Sequence, residues 1–154
     1  MAADNRFSLT RVGIESKSVE ALFRDLVREL KAGGHIPEEE APLQHLVDRE
    51  EVQTTAIGGG VALPHARCSV CEKLVVSAAL LKQGIDFEAP DGKPVDLVFL
   101  ILGPEEPPGE HVMLLGRLAR MISRPGLLDA LRGAPDEASF RKLLEEGLAA
   151  ASAT

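Results

Sequence analysis

The sequence has 154 residues, 45% hydrophobic and only 3% aromatic, with neither Trp nor Tyr and a formal net charge of −7. That length suits a single domain over 1–154 with its own core; the acidity and the lack of stacking rings argue against nucleic acid and suit docking onto a basic protein patch. The opening MAADNRFSLT has no apolar signal core, the run Leu97 to Leu102 is too short to cross a bilayer, and two cysteines make no secreted disulfide framework, so a cytoplasmic protein without membrane insertion is expected.

In chain order, Ser18 is placed to cap a helix that runs to about Ala32 and stops at Gly33-Gly34. Its apolar positions, Val19, Leu22, Phe23, Leu26, Val27 and Leu30, form one buried stripe. A second helix is expected after Pro37, with Glu38, Glu39 and Glu40 at its positive end, closing near Glu50 or Glu51. Leu74 to Leu81 reads as a buried strand, Ala89 to Pro94 as a turn, and Val95 to Leu102 as a strand apolar enough to sit centrally in a sheet covered on both faces. GPEEPPGE reads as a rigid, solvated loop. Helices are expected from about Glu110, over Leu127 to Leu131, and over Ala138 to Ala150, with a frayed tail AAASAT. Strands mixed with helices around a doubly covered strand predict an α/β sandwich.

Between the second helix and the first of these strands lies TTAIGGGVALPHARCSVC, Thr54 to Cys71. Gly58, Gly59 and Gly60 permit φ > 0 and let backbone N–H groups approach a ligand, and Thr54 and Thr55 add hydroxyls, a composition that suits a phosphoryl group. There is no GK[ST] after them and no strand–loop–helix pattern around them, so neither nucleotide fingerprint applies. On composition alone a tight connecting loop accounts for them. His65 follows Pro64, which stiffens the chain before it; a neutral imidazole there has the chemistry of a nucleophile or base. His111 falls on the apolar stripe of its helix yet in the first turn, near free N–H groups and the positive dipole end, which favours a neutral ring and a nearby anion. The alternative is a buried histidine bonded to a backbone carbonyl. Arg49, at the end of the second helix, is positioned either to grip a phosphate or to pair with Asp48, Glu50 or Glu51. Cys68 and Cys71 complete HxxCxxC with His65, but a metal would need further ligands from His35, His45 or His111, and no second CxxC exists. Two reduced, partly buried thiols are the simpler reading.

TTAIGGGVALPHAR closely resembles the phosphohistidine motif of the type-2 enzyme IIA domains of the bacterial phosphoenolpyruvate-dependent phosphotransferase system, in its fructose, mannitol and nitrogen-regulatory branches. Arg49-Glu50 ahead of it, DGKPVDLVFLILGPE from Asp91 to Glu105, and His111 opening a helix follow the family's order, so the likeness runs from about Ser8 to Leu144. The resemblance implies a mixed, mostly parallel sheet with helices on both faces. It implies that His65 accepts a phosphoryl group on Nε2 from a histidine phosphocarrier protein, that His111 bonds the phosphoryl oxygens and that Arg49 neutralises charge. Thr54, Thr55 and Gly58 to Gly60 are expected as further donors, on geometry. No metal or cofactor is required. A stand-alone nitrogen-regulatory component, signalling to downstream regulatory targets, is the first reading. A sugar-branch component donating to a IIB domain is the second, and a metal or redox module on His65, Cys68 and Cys71 the third. Gly59 stands where the family often has Asn or His, Ala66 where many members have Gly, and the two cysteines lie outside the motif.

Overall fold

The computed structural model of the chain describes residues 6–151. Six strands, β1 (Leu9–Ile14), β2 (Ala56–Gly58), β3 (Val61–Ala62), β4 (His65–Arg67), β5 (Val75–Ile85) and β6 (Val95–Gly103), form one sheet. Five helices flank it: α1 (Val19–Ala32), α2 (Glu40–Val52), α3 (Gly109–Ile122), α4 (Leu127–Arg132) and α5 (Glu137–Ala151). The order is β1-β5-β6-β3-β2, with β4 also on β6. The β1–β5, β3–β6 and β4–β6 pairings are parallel, whereas β2–β3 and the long central β5–β6 pairing are antiparallel.

Strand β6 organises both cores, because a strand's side chains alternate between faces. Val98, Leu100 and Leu102 join α1 and α2 residues such as Leu22, Leu26 and Leu46. Leu97, Phe99 and Ile101 join Leu114 and Leu118 of α3 and Phe140 and Leu144 of α5. All six β6 residues are completely buried. The three-layer α/β sandwich expected from the sequence is therefore observed, hung on the strand whose unbroken apolar run predicted it.

The helix ends follow their local chemistry. The Ser18 side chain accepts a hydrogen bond from Ala21 N at 3.1 Å, and the Gly33 N–H closes α1 onto Glu29 O. Helix α2 starts at Glu40 rather than just after Pro37, so only one of the three glutamates lies in its first turn. Helix α5 has no basic residue in its last turn. Its terminal carbonyls are satisfied from α3 instead: Arg117 Nη2 donates to Leu148 O at 3.1 Å and Arg120 Nε to Ala151 O at 3.3 Å. Cations at a helix C-terminus are favourable, and this pair fixes α3, which carries His111. The described residues include the first three of the tail AAASAT, which continue α5; the remaining three lie outside them.

Strands β1 to β4 were not expected from the pattern. Segments of two or three residues carry no periodicity to read, and β1 is interrupted by Gly13. The glycine run is the turn between β2 and β3. Gly59 N donates to Asp91 Oδ2 at 2.9 Å, Arg132 Nη2 donates to Gly59 O at 2.6 Å, and Asp96 N and Leu97 N both donate to Gly60 O. Gly59 and Gly60 both have positive φ, 67° and 79°. A Cβ at Gly59 would meet nothing, but one at Gly60 would lie 2.7 Å from Arg132 Nη2 and 3.1 Å from Asp96 Oδ1. Gly59→Ala should therefore cost only the left-handed penalty of about 1 kcal/mol. Gly60→Ala should cost at least about 1 kcal/mol more, as it also breaks the Arg132–Asp96 arrangement. Urea denaturation of both variants reads the difference; equal costs would show that the Arg132 contact contributes nothing.

Candidate functional site

The path from Val61 to Arg67 runs along β6 in two pieces. Val61 and Ala62 pair with Leu97 and Val98, and His65 to Arg67 pair with Ile101 to Gly103. The break falls at Leu63-Pro64. Pro64 has no N–H to give, although its carbonyl accepts from Ile101 N at 2.9 Å. Leu63 turns its polar groups the other way: its N–H donates to Thr55 O at 3.0 Å, and its carbonyl receives His65 Nδ1 at 2.8 Å. A carbonyl only accepts, so Nδ1 carries the proton. In the neutral ring the lone pair is then on Nε2.

Ala66 packs into the α1/α2 core, so His65 and Arg67, its neighbours on the strand, project to the opposite side, where α3 begins. There the His65 and His111 rings lie with centroids 5.5 Å apart. His111 is in the first turn of α3, is only 6% exposed, and has no hydrogen-bond partner for either ring nitrogen. The backbone-bonded alternative is therefore not observed. Burial first, then the nearby His65 and Arg67, push its pKa down to about 4. The ring is neutral at physiological pH, and it keeps one N–H with nothing to bond.

Both histidines line a cleft of about 930 Å³ at the C-terminal end of β6. Arg49, Asp48 and His45 line it from α2, which packs against β4; Arg67 from β4; and Glu105 and Glu106 from the loop before α3. Arg49 Nη1 donates to Gln53 O at 2.9 Å rather than to a neighbouring carboxylate. Gly103 leaves room for Leu74: a Cβ there would lie 2.8 Å from Leu74 Cδ1, and in ordinary contact, 3.6 Å, with His111 Nδ1.

Of the residues expected to handle the phosphoryl group, the structure brings His65, His111 and Arg49 to this cleft, where His45 and Asp48 also lie, and leaves Thr54, Thr55 and the glycines elsewhere. Val61 pairs with Leu97 and His65 with Ile101, four residues further along β6, a separation of about 13 Å. Gly58, Gly59 and Gly60 thus turn at the opposite end of the strand from His65. Thr54 Oγ1 donates to Phe87 O and accepts from Ala56 N; Thr55 donates both N–H and Oγ1–H to the Glu50 carboxylate, each at 2.7 Å. Their hydroxyls are structural, and the expectation that they and the glycine loop face the phosphoryl group does not match this geometry. Arg67, Glu105 and Glu106 were missed. Arg67 was legible, being two residues after His65 and therefore on its side of an extended chain.

Cys68 and Cys71 are free and buried, at the two ends of a turn closed by Cys71 N donating to Cys68 O at 3.0 Å. Burial, then the neighbouring Cys68, push Cys71 up to about 12. Among the described residues, no three His, Cys, Asp or Glu side chains converge as metal ligands would, so the geometry does not extend HxxCxxC into a metal site.

An open mixed sheet sandwiched by helices, with two facing histidines at the end of its central strand, defines an α/β domain with a histidine-centred cleft. Residues 7–147 match the family model for the phosphoenolpyruvate-dependent sugar phosphotransferase system, EIIA 2. The chain belongs to that family. It is 38% identical over 125 residues to a nitrogen regulatory protein of Pseudomonas aeruginosa, covering 80% of this chain and 77% of that one. It is 41% identical over 106 residues to a nitrogen regulatory protein of Bradyrhizobium diazoefficiens, covering 69% of each. The crystal structure of the nitrogen regulatory protein IIA-Ntr from Neisseria meningitidis superposes with a TM-score of 0.78 at 29% identity, over 89% of this chain and 93% of that one. No helix among the described residues is long and apolar enough to cross a membrane.

Two outcomes follow from the ionisation states. The unfolded His111 ring takes its proton near pH 6.5 and the native ring only near 4. Between these values the unfolded state binds more protons, so stability falls as pH falls. The loss from pH 7.5 to pH 5 should be about 2 kcal/mol. His111→Leu should lack this component, read as a flatter pH dependence of urea denaturation; an unchanged slope would contradict a buried neutral ring. Separately, the thiols should react with a disulfide reagent at pH 8 at least about 10³-fold more slowly in the native protein than in urea. Native labelling at the free-cysteine rate would contradict their burial.

Proposed function

We propose that this chain is a phosphohistidine relay protein, a IIA component of the nitrogen-regulatory kind that signals by its phosphorylation state. It accepts the phosphoryl group on His65 from a phosphorylated histidine phosphocarrier protein and acts, as a single domain in the cytoplasm, on regulatory target proteins. One observation carries the reading: the hydrogen bond from His65 Nδ1 to Leu63 O, which fixes the tautomer whose lone pair is on Nε2. The nitrogen-regulatory branch is supported by the two relatives of that name.

In the proposed step, Nε2 of His65 attacks phosphorus in line. The donor N–P bond breaks and its electron pair returns to the donor ring. The proton on Nδ1 stays, and Leu63 O, already its partner, stabilises the positive charge the ring gains. One N–P bond replaces another, so the step asks chiefly for positioning and charge neutralisation. His111 is suited to both. Its N–H has no other partner, its ring is neutral, and the free N–H groups of the first turn of α3 lie beside it. Arg49 supplies charge from the end of α2, and a single bond to Gln53 O leaves most of its donors uncommitted.

Incubation with phosphoenolpyruvate, enzyme I and the histidine carrier should yield an acid-labile phosphoprotein, and His65→Ala should abolish it. Labelling of that variant at the wild-type rate would place the acceptor elsewhere. His111→Ala should retain the acceptor and slow transfer by about 10²-fold, the usual scale for one donor aimed at developing charge. Unaltered kinetics would leave His111 a purely structural residue. Efficient donation to a fructose- or mannitol-type IIB domain would move the chain to the sugar branch.

A further inference from the structure

The proposed relay places a dianionic group in a cleft whose own charges do not favour one. Among the described residues, Asp48, Glu105 and Glu106 line it with acidic side chains, and Arg49 and Arg67 with guanidinium groups. Arg49 alone would leave the phosphoryl group facing an excess of negative charge. Arg67 has the geometry to offset part of this. It is on the same side of β4 as His65, two residues on, in a strand held in register by β6. It lines the cleft with both histidines, and its charge is felt at the His111 ring. Among the described residues its side chain makes no hydrogen bond or ion pair, unlike those of Arg11, Arg132 and Arg141, each of which is committed to a carboxylate.

We infer that Arg67 is a catalytic residue of the relay, a guanidinium clamp that bonds the phosphoryl oxygens as the group arrives on His65. The inference rests on the relay reading. It adds a residue placed for the role by the strand that carries the acceptor, so acceptor and clamp are held to one another by a single backbone register. A planar fork of donors suits the oxygens of a phosphoryl group better than an ammonium does. Arg67 is exposed at the rim, so its replacement leaves both cores intact.

Phosphoramidate tests this, because it donates a phosphoryl group, with ammonia as leaving group, and presents no protein surface. Wild type, Arg67→Gln and Arg67→Lys are treated with it, and the initial rate of phosphorylation at His65 is followed by peptide mapping. The expected result is a rate at least about tenfold lower for Arg67→Gln, with Arg67→Lys between. The His111 ring of unphosphorylated Arg67→Gln should also titrate at higher pH by NMR, since a neighbouring cation has been removed. A wild-type rate in Arg67→Gln overturns the inference, even if transfer from the carrier protein is slowed, because Arg67 would then serve the partner surface alone. Failure of the wild-type protein to be labelled at His65 by the carrier protein would instead remove the relay reading itself.

Discussion

The hydrogen bond from His65 Nδ1 to Leu63 O is the constraint on which the site depends. It decides which nitrogen of the ring has a lone pair to give, and its strength depends on how firmly Leu63 is held. Leu63 N is tied to Thr55 O, and Pro64 O on its other side is tied to Ile101 N. Ile101 belongs to a strand buried on both faces. The route from fold to chemistry is thus short. Two helical layers press on β6, β6 fixes the segment Leu63-Pro64, and that segment sets the tautomer of His65.

His111 shows the complementary behaviour. A buried polar group without a partner costs about 1–3 kcal/mol, and both nitrogens of this ring lack one. Buried side-chain polar groups ordinarily have such a partner. This one is held in place by α3, which is anchored at its far end by Arg117 and Arg120 on the terminus of α5. The unfavourable state of the ring is maintained by packing elsewhere, as expected where a site breaks a rule that the rest of the molecule obeys. Its neutrality and its unused donor are two consequences of the same burial.

Sequence reading succeeded where one local rule was strong. The Ser18 cap and Gly33 fixed α1, and the run VDLVFLIL announced the central strand. It failed where distance along the chain was mistaken for distance in space. Gly60 is five residues from His65, but the intervening chain is extended and carries the glycine turn to the opposite end of β6. Arg49, sixteen residues before His65, reaches the cleft because α2 packs across β4. The glycines are better explained by what they permit. They allow a turn of positive φ whose backbone is gripped by Asp91 and Arg132, residues that no local pattern links to it.

The same distinction applies to Cys68 and Cys71. Cys68 N donates to Gly103 O at 2.8 Å, the last rung by which the chain leaving β4 holds to β6. Gly103 in turn is the point where β6 passes close behind the His111 ring. Directly after the segment that carries His65 and Arg67, the chain therefore turns in a buried space, at Cys68 and Cys71. Cysteine suits that place as a compact apolar residue, and burial raises the proton affinity of the Cys71 thiol. The CxxC pair thus marks the buried turn that follows the strand carrying His65. Its first residue bonds to Gly103 at the same end of β6 as His65, whereas the glycine loop turns at the opposite end.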